Sequence, residues 1–341
     1  MTGAAPVVAI IGATGLVGEA LCDLLIARSF PCAELLLVAS SDSAGTKREI
    51  KGSYVAVLDL ATFDFTRAQL VFFAVPGPVA SQYIPEALAA GCRVIDTSPR
   101  PPDDASGVYI VPEINGHLLS GLAPDQIVFC PDPTARILSL LIHTLDPHID
   151  ITKVHAVAHE PVSRYGRKAV DELAKQNIAL FNMKEVPTSR FPVQVAFNLM
   201  VPFGTPETVD NYLAEQAINH QTALLTGHDQ NFVTASRVLV PVFNGIGITV
   251  QITSTNSCDP AKISKLFSTI KSVKYLKEKP ETPGPTALTH GSGTDFVCIG
   301  NLRMHGLHQT ELNLFAVADN IRFGVALNCA LAGEILANNS F

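Results

Sequence analysis

Two domains are expected, an N-terminal α/β domain on a parallel sheet and a C-terminal α+β domain, and three observations point to them. At 341 residues the chain exceeds what one ordinary core holds. Its first third alternates short, wholly apolar runs with helical patterns, the mark of parallel strands joined by right-handed crossovers. Its second half carries longer strand-like runs close together, as a sheet with helices on one side requires.

Residues 7–11 are apolar and mostly β-branched, as a strand buried on both faces should be. Gly12-Ala13-Thr14-Gly15-Leu16-Val17-Gly18 follows, then a helical repeat at Leu21, Leu24 and Leu25. Strand, glycine turn and helix in this order are the setting of a dinucleotide fingerprint. Glycines let the backbone approach a pyrophosphate, and the helix N-terminus offers open N–H groups. The spacing is a variant of the usual one, and a tight strand–helix turn without ligand also uses glycine. Residues 35–39 read as the second strand, with Ser40, Ser41, Asp42 and Ser43 where an adenosine ribose is met. Asp42 suits ribose hydroxyls and repels a 2′-phosphate; it also suits a solvated turn. A third buried strand at 71–74 runs into Val75-Pro76-Gly77, a helix spans 79–90, and 93–96 is a fourth strand. The proline-rich stretch 99–104 reads as a surface excursion, and order resumes at 111–115.

The apolar run 126–129 leads to Cys130-Pro131-Asp132-Pro133-Thr134-Ala135-Arg136 and a helix over 136–145. Asp132 before Pro133 is a strong helix start, since the carboxylate can accept first-turn N–H groups and proline suits the first position. A helix N-terminus also lowers a thiol's pKa, which makes it a favoured place for a nucleophile. Beyond it, 154–159 is strand-like and 163–180 reads as one amphipathic helix with Arg164, Arg167 and Lys168 early. A Pro/Gly-rich connection runs from Phe197 to Pro206. Strands are expected at 237–243, 246–254, 296–303 and 311–318, a helix at 262–270, an exposed excursion at 271–285, and a terminal helix at 320–337.

A hydrophobic content of 47% with 16% charged residues describes a well-buried globular chain. The net charge of −7 and the absence of a Lys/Arg run argue against nucleic-acid and anionic-membrane partners. Seven cysteines (Cys22, Cys32, Cys92, Cys130, Cys258, Cys298 and Cys329) are scattered without C-x-x-C spacing, which fits reduced thiols. No basic segment precedes the first apolar run, and glycines soon interrupt that run. Neither a signal peptide nor a membrane span is therefore expected, and the protein reads as cytoplasmic. Among ten histidines the close pairs are His155 with His159, which strand alternation puts on one face, and His305 with His308. No carboxylate motif accompanies them, so no metal site is assigned.

Five segments carry a resemblance: Gly12 to Gly18, Ala39-Ser40-Ser41-Asp42-Ser43-Ala44-Gly45, Val94-Ile95-Asp96-Thr97-Ser98, Val111-Pro112-Glu113-Ile114-Asn115, and Val317-Ala318-Asp319-Asn320-Ile321-Arg322-Phe323-Gly324. In this order they resemble the aspartate-semialdehyde dehydrogenase family from end to end, and most closely its Usg-type paralogues, which lack parts of the active site. The resemblance implies a Rossmann-like, parallel-sheet dinucleotide-binding domain over 1–132, completed by a C-terminal helix at 320–341. It implies a glyceraldehyde-3-phosphate-dehydrogenase-like α+β domain over 133–319 for substrate residues and homodimerisation. The cofactor-binding candidates are Gly12, Thr14, Gly15, Leu16, Val17, Ser40, Ser41, Pro76, Gly77 and Asn320. NAD or NADP is the implied cofactor. Asp42 stands where the family carries an arginine for the 2′-phosphate, so NAD is favoured.

The family reaction is reductive dephosphorylation of aspartyl phosphate with NADPH, through a cysteine thiolate, a histidine and substrate-holding arginines. Aligned on these motifs, the nucleophile falls on Pro133, the histidine on Ile246, the substrate arginine on Leu239 and the family glutamine on Glu160. The phosphate arginine falls on Pro102, with Arg100 displaced from it. Arg237, two residues from Leu239, is the nearest substitute. No catalytic residue is assigned, since losing nucleophile and base together removes many orders of magnitude in rate.

The expectation is a dimeric binding or structural homologue without the family's activity. The alternative is an active oxidoreductase on an aldehyde or acyl substrate with NAD(P), in amino-acid biosynthesis. Cys130, three residues before the lost nucleophile, is the candidate thiol for changed chemistry, though its first reading is a buried strand residue facing away from the helix start. A third possibility is a nucleotide sensor without chemistry.

Overall fold

The computed structural model describes residues 5–98, 106–202, 211–257, 259–277, 279, 281, 283–306 and 309–340. The expected excursion at 99–104, with Arg100 and Pro102, lies outside the described residues, as do Cys258 and His308. The described chain forms two compact units, with breaks between Asp132 and Pro133 and between Gly324 and Val325.

The first unit is built on β1 (Val7–Ile11), β2 (Glu34–Ala39), β3 (Lys47–Ile50), β4 (Ser53–Asp59), β5 (Leu70–Phe73), β6 (Arg93–Asp96), β7 (Gly107–Tyr109) and β8 (Ile127–Phe129). They form one sheet in the order β3-β4-β2-β1-β5-β6-β8-β7, parallel except between β3 and β4. The central strands need no polar face because both sides are covered. Val8 to Ile11 and Leu70 to Phe73 are all buried. Helices α1 (Leu16–Ala27) and α2 (Gly77–Ala89) follow β1 and β5 directly, and α3 (Pro112–Asn115) is a single turn. From β1 the chain winds outward through β2 and β4, then returns to add β5 on the other side. The strand order thus reverses between β1 and β5, the place where an open parallel sheet leaves a crevice at its strand ends. The β3–β4 hairpin was not foreseen. Lys47 to Ile50 is charged and pairs only with β4, and Lys51 and Gly52, both at positive φ, make its two-residue turn.

The second unit comprises α4 (Pro133–Leu145), β9 (Ile151–Glu160), α5 (Arg167–Phe181), α6 (Asn211–Thr226), β10 (Val233–Leu239), β11 (Ile246–Ser254), α7 (Pro260–Thr269), β12 (Val273–Tyr275), β13 (Val297–His305) and β14 (Glu311–Ala318). Its mixed sheet runs β10-β9-β11-β14-β13-β12. Four expectations change here. The helix expected over 163–180 is two pieces, because Gly166 at φ +84° closes a short turn at Val162–Tyr165 before α5 begins. The strand expected over 237–243 ends at Leu239, just before Pro241, which has no N–H to offer a ladder. Part of the expected excursion at 271–285 is β12, which pairs in parallel with β13. Helix α6 was missed, because Asn219, His220, Gln221 and Thr222 interrupt its apolar pattern.

The C-terminal segment was expected as one helix over 320–337. It begins instead as a π-helical turn at Arg322–Leu327 and continues as α8 (Asn328–Ser340). Helix α8 belongs to the first unit, where Gly333 lets it approach the rings of Phe72 and Phe30.

Candidate functional site

In the first unit the glycine turn sits at the C-terminal ends of β1 and β5. Gly12 takes φ +86°, and a Cβ there would stand 2.4 Å from the Ala74 carbonyl oxygen. A Cβ on Gly18 would stand 2.1 Å from the Gly12 carbonyl oxygen, so only glycine lets α1 start this close to the turn. The Gly12 and Ala13 N–H groups donate to the Val38 carbonyl at 2.8 and 3.0 Å, and the Gly15 N–H to Gly12 at 3.0 Å. Gly15 caps α1 without a side-chain hydrogen bond. The first-turn N–H groups of Leu16, Val17 and Gly18 have no intrahelical acceptor, which makes this end a ready anion site. Pro76 precedes α2 in the same way, with Gly77 as its first residue and no side-chain cap.

Thr14 Oγ1 donates to Ser43 Oγ at 3.3 Å, which joins the glycine turn to the segment after β2. In that segment Ser40, Ser41 and Asp42 are exposed. Ser41 Oγ donates to Asp59 Oδ1 at 3.1 Å, and Asp59 lies across from Ala39 at the end of β4. Two carboxylates therefore flank the tip of β2. This brings nine of the ten cofactor-binding candidates to the ends of β1, β2 and β5. The tenth, Asn320, belongs to the second unit. It is 5% exposed, accepts the Gly245 N–H at 3.1 Å and donates to Ser163 Oγ at 3.1 Å.

The second unit opens at the start of α4. Pro133 is buried, and a Cβ built on Gly324 would come within 2.7 Å of the proline Cβ. One turn into the helix Arg136 is fully buried, donates to the Phe323 carbonyl, and lies 4.2 Å above the Phe323 ring. Leu239 is wholly buried among Val162, Tyr165, Leu173, Phe191 and Val195. Ile246 is buried as well and pairs with Ala318 across β11 and β14.

Beside Leu239 a buried ion pair has formed. Arg237 Nε and one terminal nitrogen donate to the two oxygens of Glu160 at 2.8 and 2.6 Å, and Arg164 Nε stands 3.3 Å from the same carboxylate. Burial, then the Glu160 charge, push the neighbouring Tyr165 phenol up. Residue types alone do not reveal this pairing. It follows from the parallel register of β9 and β10, which sets Leu239 across from Glu160 and leaves Arg237 one step back on the same face.

Asp319 was also missed as a site-forming residue. Its carboxylate accepts from Asn244 Nδ2 at 2.7 Å and from the N–H groups of Gly293, Ile321 and Arg322 at 2.6, 2.9 and 2.7 Å. Asn244 in turn accepts from Ser163 Oγ at 3.1 Å. The Asp319-Asn320 pair thus holds the turn before β11 and the turn after β14. Its sequence signals are its place in the segment Val317 to Gly324 and an Asp before a helical stretch, which also describes an ordinary cap.

His159 is half-buried near Thr249 Oγ1 at 3.4 Å, and burial pushes its pKa down. Among the described residues no three His, Cys, Asp or Glu side chains converge as metal ligands. Nor is any helix among them long and apolar enough to cross a membrane. Cys130 is 5% exposed, so the structure places it in the core of the first unit.

Comparison with known proteins bears on both units. Residues 7–122 match the semialdehyde dehydrogenase NAD-binding domain, and residues 143–323 match the semialdehyde dehydrogenase dimerisation domain. A USG-1 protein homolog from Pseudomonas aeruginosa is 32% identical over 96% of this chain and 97% of its own length. An aspartate-semialdehyde dehydrogenase from Legionella pneumophila is 30% identical over 96% of this chain and 95% of its own. Among solved structures, aspartate semialdehyde dehydrogenase II of Vibrio cholerae, complexed with ASA, superposes with a TM-score of 0.90 at 27% identity. That match covers 98% of this chain and 99% of the other.

Proposed function

The chain belongs to the aspartate-semialdehyde dehydrogenase family, and from that premise we propose that it is a catalytically silent, dimeric member acting as a binding or structural protein. The observation that carries this reading is Pro133, buried against Gly324 where the family resemblance sets the nucleophile. A proline ring has no nucleophilic atom, and Gly324 packs closely against it. Two more positions support the reading. Leu239 and Ile246, standing for the substrate arginine and the histidine, are packed as core. Glu160 already supplies Arg237 with a bidentate carboxylate, so that guanidinium is not presented to a substrate carboxylate.

The chain carries an NAD(P)-binding domain. Within it we assign dinucleotide contact to Gly12, Thr14, Gly15, Leu16 and Val17 at the helix start, Ser40 and Ser41 at the ribose, and Pro76 and Gly77 at α2. The open first-turn amides of α1 fit a pyrophosphate. Asp42 and Asp59 beside the ribose position favour NAD over NADP, because a 2′-phosphate would meet two negative charges. The matched dimerisation domain supports a homodimer, and the free thiols of the six described cysteines support a cytoplasmic setting.

The test is a thermal-shift screen of the pure protein with NAD, NADP and acyl phosphates, beside an assay of semialdehyde oxidation. NAD should raise the melting temperature more than NADP, by mass action on the native state. Turnover above that of a catalytically dead control would replace this reading with that of an active oxidoreductase.

A further inference from the structure

We propose that Cys130 and Cys329 form a redox couple, which a small peroxide converts into a disulfide fastening the C-terminal helix to the end of β8. The two residues are 199 positions apart in sequence, yet their sulfurs stand 3.0 Å from each other inside the first unit. A disulfide holds them at about 2.05 Å, so closure asks for a shift of about 1 Å.

Both partners are presented by well-tied backbone. Cys130 follows β8, and its N–H donates to the Asp96 carbonyl at 2.8 Å. Asn328, next to Cys329, donates to the Ile110 carbonyl at 2.8 Å and stands 3.5 Å from the Cys130 sulfur. Further along α8, Glu334 forms a two-pronged ion pair with Arg28 at 2.6 and 2.8 Å. The other buried thiols are placed differently. Cys92 donates to the Phe65 and Ala68 carbonyls at 3.3 and 3.1 Å, and burial pushes both Cys22 and Cys92 up to about 11. Burial thus disfavours the thiolate form of both.

Cys130 is the more accessible of the pair, 5% exposed against 0% for Cys329. Its thiolate attacks one oxygen of hydrogen peroxide, the O–O bond breaks, and hydroxide leaves to take up the thiol proton as water. The Cys329 thiol then attacks the resulting sulfenic sulfur; the S–O bond breaks and a second water departs. Two thiols and one peroxide thus give one disulfide and two waters. The sulfurs lose two electrons and the peroxide gains them. The new bond closes a very long loop, so it removes conformational freedom mainly from the unfolded chain. This inference is independent of the proposed function.

The full-length folded protein is treated with a small molar excess of hydrogen peroxide, then alkylated and mapped without reduction. We expect a linked pair of Cys130 and Cys329 peptides, and a melting temperature raised by about 5 °C or more that dithiothreitol restores. Cys130→Ser and Cys329→Ser should each abolish both effects, while Cys32→Ser keeps them. Should either serine variant fail to fold, peptide mapping of the unmodified protein still decides. Recovery of both residues as alkylated thiols overturns the proposal. So does Cys130 as sulfinic acid beside an alkylated Cys329, and so does a linked pair with an unchanged melting temperature.

Discussion

At Gly18 a side chain would meet the Gly12 carbonyl at 2.1 Å, so Gly18→Ala has to push α1 off the turn that it caps. We expect a loss of about 2 kcal/mol or more in urea unfolding, with weaker dinucleotide binding, because overpacking against backbone has no rotamer escape. Asp42 is the converse case, exposed and without a packing role. Asp42→Arg should leave stability unchanged and raise the affinity ratio of NADPH to NADH by roughly tenfold, about 1.4 kcal/mol, in calorimetry. An unchanged ratio would remove Asp42 as the discriminating residue. The buried pair predicts a third outcome. Arg237→Met leaves Glu160 fully buried with only Arg164 at 3.3 Å, and should cost about 3 kcal/mol or more. Adding Glu160→Met to that variant should recover most of the loss, since the uncompensated charge goes with it.

At the scale of elements, α5 shows how one polar residue organises a stretch without regular structure. Glu172 accepts from Ser189 Oγ at 2.6 Å, from the Ser189 and Phe191 N–H groups at 3.0 and 3.1 Å, and from the Arg190 N–H. Burial pushes this carboxyl up, but the combined hydrogen bonds outweigh burial and hold it below the ordinary glutamate value. Its folded pKa is thus depressed. The stabilisation is complete above the unfolded value of about 4.3 and is lost as the pH falls through the lower folded value. Glu172→Gln should therefore be less stable by about 2 kcal/mol at neutral pH, with the difference closing in acid. A gap independent of pH would show that the ionised form is not what holds the segment. Element types were legible where apolar periodicity was strong: 7–11, 93–96, 246–254 and 311–318 carry the strands expected of them. They failed where backbone geometry overrode pattern. Gly166 at positive φ splits an otherwise helical run, and the charged strand β3 is held by its hairpin turn and its ladder with β4.

For the whole molecule, the proposed reading predicts that no single change confers the family's chemistry. Pro133→Cys should give no measurable reductive dephosphorylation, because Ile246 and Leu239 still withhold the base and the arginine. Turnover from that variant alone would show that the remaining machinery is intact. Light scattering after size exclusion should give twice the chain mass, in keeping with the matched dimerisation domain.

The sequence by itself determined the two-domain α/β class, the glycine turn at the first strand end, and the residue types standing at Pro133, Leu239 and Ile246. These follow from local chemistry: apolar periodicity, the steric freedom of glycine and the missing nucleophilic atom of proline. Only the tertiary structure decided that Glu160 and Arg237 neutralise each other, that Asp319 ties two turns together, and that Cys130 faces Cys329. Each of these is a contact between residues far apart in the chain, fixed by strand register or by the return of a helix, and no local pattern encodes that placement. The helix start at Pro133 joins the two levels. Its residue was legible, and its burial against Gly324 was not.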